Sequence, residues 1–229
     1  MKILAIESSA KAASVAVCED GELLGQYFQN SGLTHSVTLM CMARDLLANI
    51  GLAARCVDVF AVAAGPGSFT GVRIGVSTAK GLAWGAGKPL CAVSTLEAMA
   101  WEASDGAVAC PVMDARRGQV YNALFAREGG APARLCDDRA ISASGLADDV
   151  SARLRGAHVL LFGDAAGACL PIFSESGIAA GLAGDAVRLP CAHGVALAAT
   201  RAAPRAPGEV LPNYIRAPQA EQKLTGGGR

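Results

Sequence analysis

Residues 57–63 form a nearly unbroken apolar run, Val57-Asp58-Val59-Phe60-Ala61-Val62-Ala63, that leads directly into Gly65-Pro66-Gly67-Ser68-Phe69-Thr70-Gly71. An apolar run of this length, ended by turn residues, reads as a strand covered on both faces. The glycine-rich turn then opens a small-residue helix that reaches about Ala86. A strand buried on both sides needs helices above and below its sheet, which places the chain in the α/β class. Around this unit, residues 3–9 and 12–18 read as strands, with a turn at Glu19-Asp20-Gly21 and a third strand over 22–28. Thr34 is a candidate N-cap for a helix over 35–50, ended by Gly51. Residues 89–93 give a short strand, and Ser94 with Glu97 gives a capping box for a helix to about Ala103.

The second half repeats this order. Strands are expected over 107–114, over 119–126 after the Arg116-Arg117-Gly118 turn, and near 133–138. A helix near 143–155, a strand at 158–162 and Ala-rich helices near 164–170 and 193–203 follow. The halves share an order of elements without residue-level identity. Two ribonuclease-H-like lobes, each a mixed five-stranded sheet flanked by helices, fit this pattern, with residues 1–103 in the first and 104–229 in the second. Gly226-Gly227-Gly228 is expected to be a frayed tail.

Composition narrows the function. The chain is 52% hydrophobic and 17% charged, and it has no apolar run near the ~20 residues of a membrane helix. The alternation from Met1 into Glu7 is too short for a secretory signal, so a cytoplasmic protein that meets no membrane is expected. The eight Cys are scattered with no C-x-x-C pair, which leaves no local scaffold for zinc or redox chemistry and fits small buried hydrophobes. Twenty basic residues balance twenty acidic ones. A nucleic-acid binder draws its affinity from phosphate neutralisation, so this chain alone is expected to hold nucleic acid poorly, even though Arg188, Arg201, Arg205, Arg216, Lys223 and Arg229 crowd its end.

Two stretches can carry function. In the loop, Gly65, Gly67, Ser68 and Gly71 either direct backbone N–H groups at an anion or let the chain turn tightly and the helix approach its sheet. No Lys follows the last Gly, so the loop is not a P-loop. The helix after it is dense in small residues, Gly75, Ser77, Ala79, Gly81, Ala83 and Gly85, at ~1 kcal/mol per Gly in helix propensity. Such a sequence suits a close backbone approach. The helix over 35–50 carries two apolar stripes, Val37, Met40, Ala43, Leu47 and Ile50 on one side and Leu39, Met42 and Leu46 on the other, where a surface helix needs only one. Either the helix is buried deeply in its own lobe, or the second stripe docks on another protein.

The loop string, continuing through Val72-Arg73-Ile74-Gly75 and Thr78-Ala79-Lys80-Gly81-Leu82-Ala83, resembles the central signature of the TsaB family. So do Val93-Ser94-Thr95-Leu96-Glu97-Ala98, Met113-Asp114-Ala115-Arg116-Arg117-Gly118-Gln119-Val120-Tyr121, Leu211-Pro212-Asn213-Tyr214-Ile215-Arg216 and His35-Ser36. The resemblance implies an actin-like (ASKHA) fold of two lobes and heterodimerisation with the catalytic paralogue TsaD. It also implies assembly with the ATPase TsaE, and tRNA met through that complex. The docking helices would contribute Val37, Leu39, Met40, Met42, Leu46, Gly75, Thr78, Ala79 and Leu82, with a homodimer through the same face when the partner is missing. TsaD resembles this chain after the strand at 89–93 but carries there an H-x-x-x-H metal pair. The matching residues here are Thr95 and Met99, neither of which offers an imidazole. No cofactor of the chain's own is therefore expected, with ATP and a divalent metal assigned to the partner subunit.

The nucleotide pocket of the second lobe also departs from that pattern. Phe162-Gly163-Asp164-Ala165-Ala166-Gly167 sets a carboxylate where a neutral residue is expected beside a phosphate. Arg116 and Arg117 stand in for a glycine-rich phosphate turn. Glu7 and Asp114 open equivalent hairpins and are a candidate carboxylate pair across the cleft. The reading is a non-catalytic scaffold for threonylcarbamoyl transfer to tRNA. Its rivals are an actin-like ATPase or metal-dependent enzyme of the TsaD type acting on its own, and a free-standing tRNA-binding module.

Overall fold

The computed structural model describes residues 1–216. In the first lobe, β1 (Lys2–Glu7), β2 (Ala13–Glu19) and β3 (Glu22–Gln29) form an antiparallel meander. After α1 (His35–Asn49), β4 (Val59–Ala63) pairs parallel to β1, and after α2 (Phe69–Ala86), β5 (Leu90–Val93) pairs parallel to β4. The sheet order is β3-β2-β1-β4-β5. α3 (Thr95–Ala100) follows, capped as expected: the Ser94 hydroxyl accepts the Glu97 N–H at 3.3 Å. The Glu97 carboxylate does not close the capping box and pairs instead with Arg134 at 3.1 Å.

The second lobe contains β6 (Val108–Asp114), β7 (Gln119–Asn122), β8 (Phe125–Ala126), β9 (Ala133–Arg134), β10 (Arg139–Ser142), α4 (Ala143–Arg153), β11 (Val159–Phe162), α5 (Ala166–Glu175) and β12 (Ala180–Leu182). Its main path, β10-β7-β6-β11-β12, repeats the order of the first lobe, and β8 and β9 extend it beside β6. The strand expected over 119–126 is split. β7 and β8 keep one register against β6, but the ladder lapses opposite Pro111, which has no N–H to give. The Asn122 side chain covers the gap, donating to the carbonyls of Pro111 and Ala123 at 3.0 Å each. The third strand lies at β10, later than expected.

The strands of the first sheet send alternate residues to two layers. Leu4, Ile6, Val15, Val17, Phe60 and Val62 pack under α1 and α2. Ile3, Ala5, Ala16, Ala61, Ala63 and Cys91 face α6 (Ala192–Ala199). This corrects the division at residue 104, since α6 belongs to the first lobe although it follows the second in sequence. Small side chains on both surfaces let α6 approach closely, and a Cβ on Gly194 would lie 2.1 Å from the Ala98 carbonyl oxygen. The chain then stays on the first lobe, where Arg205 forms a two-way bridge with Leu90 and Val210 enters the core beneath α2. No helix among the described residues is long and apolar enough to cross a membrane. The expected glycine tail, Lys223 and Arg229 lie outside the described residues.

Candidate functional site

The two lobes enclose a cleft of ≈ 890 Å³, with the β1–β2 corner and the glycine-rich loop on one wall and Met113–Arg117, Tyr121 and Asp164 on the other. Residues 213–216 also line it. Each predicted glycine of the loop meets the chain's own backbone. A Cβ on Gly67 would sit 2.4 Å from the Ser9 carbonyl oxygen, one on Gly71 would sit 2.1 Å from that of Ser8, and one on Gly65 would sit 2.3 Å from that of Asn213. Ser68 caps α2: its hydroxyl accepts the Gly71 N–H at 3.3 Å, and its own N–H donates to the Ser9 carbonyl at 2.6 Å. Ser8 completes the junction by donating its hydroxyl to the Gly71 carbonyl at 2.9 Å. Close packing of α2 on the β1–β2 corner accounts for Gly67 and Gly71, and the approach of Asn213 accounts for Gly65, without a bound anion.

Glu7 and Asp114 do not form a pair. Glu7 is fully buried, and one carboxylate oxygen accepts both the N–H and the hydroxyl of Ser9 at 2.5 Å. Burial pushes its pKa up to about 7, while the hydrogen bonds from Ser9 and Ser8 pull the other way. Asp114 lies at the cleft rim, accepts the Arg116 N–H at 2.7 Å and pairs with the Arg116 guanidinium at 3.3 Å. Asp164 is held by the second lobe itself, accepting the Asp114 N–H at 3.0 Å. Gly163 before it has φ +97°, and a Cβ there would meet the Val112 carbonyl oxygen at 2.0 Å. Arg116 and Arg117 both take left-handed φ values, +65° and +56°, and hold their side chains at an exposed tip.

Thr95 and Met99 do not fit a cation. Both are buried, Met99 within the apolar cluster shared by the two lobes and Thr95 with a hydroxyl that has no hydrogen-bond partner. Among the described residues no group of three or more His, Cys, Asp or Glu could hold a metal.

The second surface is the outer side of α1 and α2. Here the two apolar stripes of α1 are resolved differently from the sequence reading. Leu39, Met42, Ala43, Leu46 and Leu47 are all buried in the first lobe's core, so Leu39, Met42 and Leu46 are unable to contact a partner. The core takes residues from both stripes because α1 packs on β2 and β3 as well as on α2. What remains outside is Val37 and Met40, 69% and 53% exposed. On α2, Gly75 and Ala79 are buried, Gly75 against the Ser8 hydroxyl, while Thr78 and Leu82 are half-buried. The outer face of α2 is formed by Ser77, Gly81, Trp84 and Gly85, with open space where side chains on Gly81 and Gly85 would stand.

Sequence reasoning missed the part of the final segment that crosses the cleft. Asn213 N–H donates to the Ala64 carbonyl at 2.6 Å, and the Tyr214 ring lies 4.9 Å from that of Phe69. Arg73 lies over Phe69 at 3.8 Å and donates to the Tyr214 hydroxyl at 2.8 Å. Arg216 donates to the Ala115 carbonyl of the other lobe at 2.8 Å. The recurrence of Val210, Leu211, Tyr214 and Ile215 in a stretch without helical or strand period was the available signal.

Comparison with known proteins fits this geometry. Residues 29–227 match the family model described as TsaD, tRNA N6-adenosine threonylcarbamoyltransferase. A stretch of 132 residues is 40% identical to the tRNA threonylcarbamoyladenosine biosynthesis protein TsaB of Bacillus subtilis, covering 57% of each chain, so the match spans little more than half of that relative's length. Among solved structures, YeaZ from Pseudomonas aeruginosa superposes with a TM-score of 0.78 at 27% identity over 93% of this chain and 99% of that one. The Acidaminococcus fermentans (R)-2-hydroxyglutaryl-CoA dehydratase component A, at 12% identity and a TM-score of 0.53 over 87% of this chain and 97% of that one, shares the actin-like fold alone. The chain therefore has an actin-like fold and belongs to the tRNA N6-adenosine threonylcarbamoyltransferase (TsaD) family, on its TsaB (YeaZ) side.

Proposed function

We propose that this protein is an accessory subunit in tRNA threonylcarbamoyladenosine formation that docks on a catalytic relative of the TsaD type and has no transfer activity of its own. The observation that carries this reading is the pair of packed helices α1 and α2, where Val37 and Met40 stand exposed on the first and Gly81 and Gly85 lie open on the second. Met adapts to an irregular partner, and Gly81 and Gly85 let a partner helix approach the backbone closely. A stable pair of this kind covers roughly 1,200–2,000 Å² in total. ATP, a divalent metal and the reacting groups belong to the partner in this reading, and TsaE and tRNA join through the assembled complex. The buried Thr95 and Met99 support that division. Without its partner, the same face gives a symmetric homodimer.

Co-purification with the threonylcarbamoyltransferase of the same cell tests the reading. The wild-type chain is expected to be captured and Met40→Asp to be lost. Steady threonylcarbamoyl transfer by the chain alone, or micromolar binding of ATP and Mg²⁺ to it by calorimetry, would refute it.

A further inference from the structure

The lobes are joined very differently on their two sides. Behind the cleft, α3 and the second lobe share a dry cluster that includes Leu96, Met99, Ala109, Phe125 and Phe162. The Ser94–Asp138 and Arg134–Glu97 contacts flank that cluster. An apolar seam of this kind is the firmer of the two junctions. On the open side, among the described residues, the one hydrogen bond that crosses between lobes is Arg216 to the Ala115 carbonyl. Arg216 is set by a chain of contacts on the first lobe. Val210 anchors in the core, Asn213 lies against Ala64 and Gly65, and Tyr214 is wedged by Phe69 and Arg73.

We propose that residues 211–216 are a strap that holds the lobes closed, and that its release from Ala115 governs access to the cleft. The anchors on the first lobe are numerous and partly apolar, whereas the grip on the second lobe is a single half-buried hydrogen bond from a charged donor to the Ala115 carbonyl. One such bond is outnumbered by the contacts that hold residues 210–214 to the first lobe. The strap therefore opens at its Arg216 end while Val210 stays seated. The inference concerns the cleft and stands whether or not the α1–α2 face docks a partner.

The test uses the full chain with Cys41→Ser and Cys56→Ser, and with Ala115→Cys as a thiol probe on the cleft wall, where Ala115 is buried and keeps its carbonyl for Arg216. Thiol modification at position 115 is followed by peptide mass. Arg216→Ala is expected to speed modification at least tenfold, with Arg216→Lys, which keeps a donor, close to wild type. Tyr214→Ala should act in the same direction by loosening the support of Arg216. Circular dichroism and the melting temperature report folding. If Arg216→Ala melts within the assay range, Arg216→Gln and Arg216→Lys provide the same comparison at lower risk. A modification rate independent of the residue at 216 overturns the strap.

Discussion

The Ser8 carbonyl oxygen lies directly over Gly71, so that a Cβ on that glycine would stand 2.1 Å from it. Neither partner can yield, because both are main chain and the Ser8 hydroxyl pins the Gly71 carbonyl from the other side. Gly71→Ala should therefore destabilise the fold by about 2–3 kcal/mol, as overpacking does, and lower Tm by several degrees. Gly81 lies on the same helix with nothing within 4 Å of an added Cβ. Gly81→Ala should stabilise by about 0.5–1 kcal/mol through helix propensity while weakening partner capture. Urea unfolding of the two variants checks both signs, and a destabilised Gly81→Ala would show that the outer face of α2 is already covered.

Two methionines two residues apart should behave oppositely. Met42 is 8% exposed within the core, whereas Met40 is 53% exposed. Met42→Asp buries an unpaired carboxylate and should cost about 3 kcal/mol or more, with loss of soluble protein. Met40→Asp should leave stability within about 0.5 kcal/mol and still abolish capture of the catalytic partner. Denaturant midpoints measured beside a pull-down separate the two effects. Equal stability losses would mean that α1 does not present the face assigned to it.

The contrast between Met40 and Met42 also shows where sequence reading stops. The periodicity of α1 located the helix at 35–50, and the structure ends it at Asn49. Periodicity alone did not decide which of two apolar stripes is covered, because that depends on which elements pack against the helix, here β2, β3 and α2. The loop, β4, α2 and the Ser94 cap were legible because turn residues and apolar runs act locally. The split at Pro111, the placement of α6 on the first lobe and the path of 211–216 were not, since each depends on contacts across a hundred residues or more, or on a ladder partner the sequence does not name. The pairing suspected between Glu7 and Asp114 failed for a similar reason: equivalent hairpin positions in two lobes do not fix side-chain direction.

The return of α6 gives a third prediction. A fragment of residues 1–103 leaves Ile3, Ala5, Val59 and Val93 uncovered on one face of its sheet, where α6 packs in the whole chain. It should remain largely unfolded or aggregate, because one bare face removes about half of the apolar burial that holds the sheet. Joining residues 189–216 after residue 103 by a short flexible linker should restore folding, since Cys191 and Glu102 are already in contact at 3.4 Å. Far-UV circular dichroism and resistance to proteolysis distinguish the two fragments, and a folded 1–103 would disprove the assignment of α6 to the first lobe.

The final prediction concerns pH. The Glu7 carboxyl ordinarily titrates near 4.5 and is pushed up to about 7 by burial. Between those values the folded chain holds a proton that the unfolded chain has released, so stability falls as pH rises across that window. The full effect is about 3 kcal/mol by the usual conversion of a pKa difference to free energy. His193 adds to it. Its hydrogen bond to Glu102, at 2.9 Å, raises its pKa, so its contribution is complete below about 6.5 and is lost as pH passes its folded value. Both groups therefore make the protein more stable at pH 5 than at pH 8. Glu7→Gln removes the larger part of that slope and should be more stable than wild type at pH 8, because no charge has to be buried there. Thermal melts at half-unit pH intervals across this range provide the check, and parallel curves for Glu7→Gln and wild type would show that Glu7 stays ionised in the folded chain.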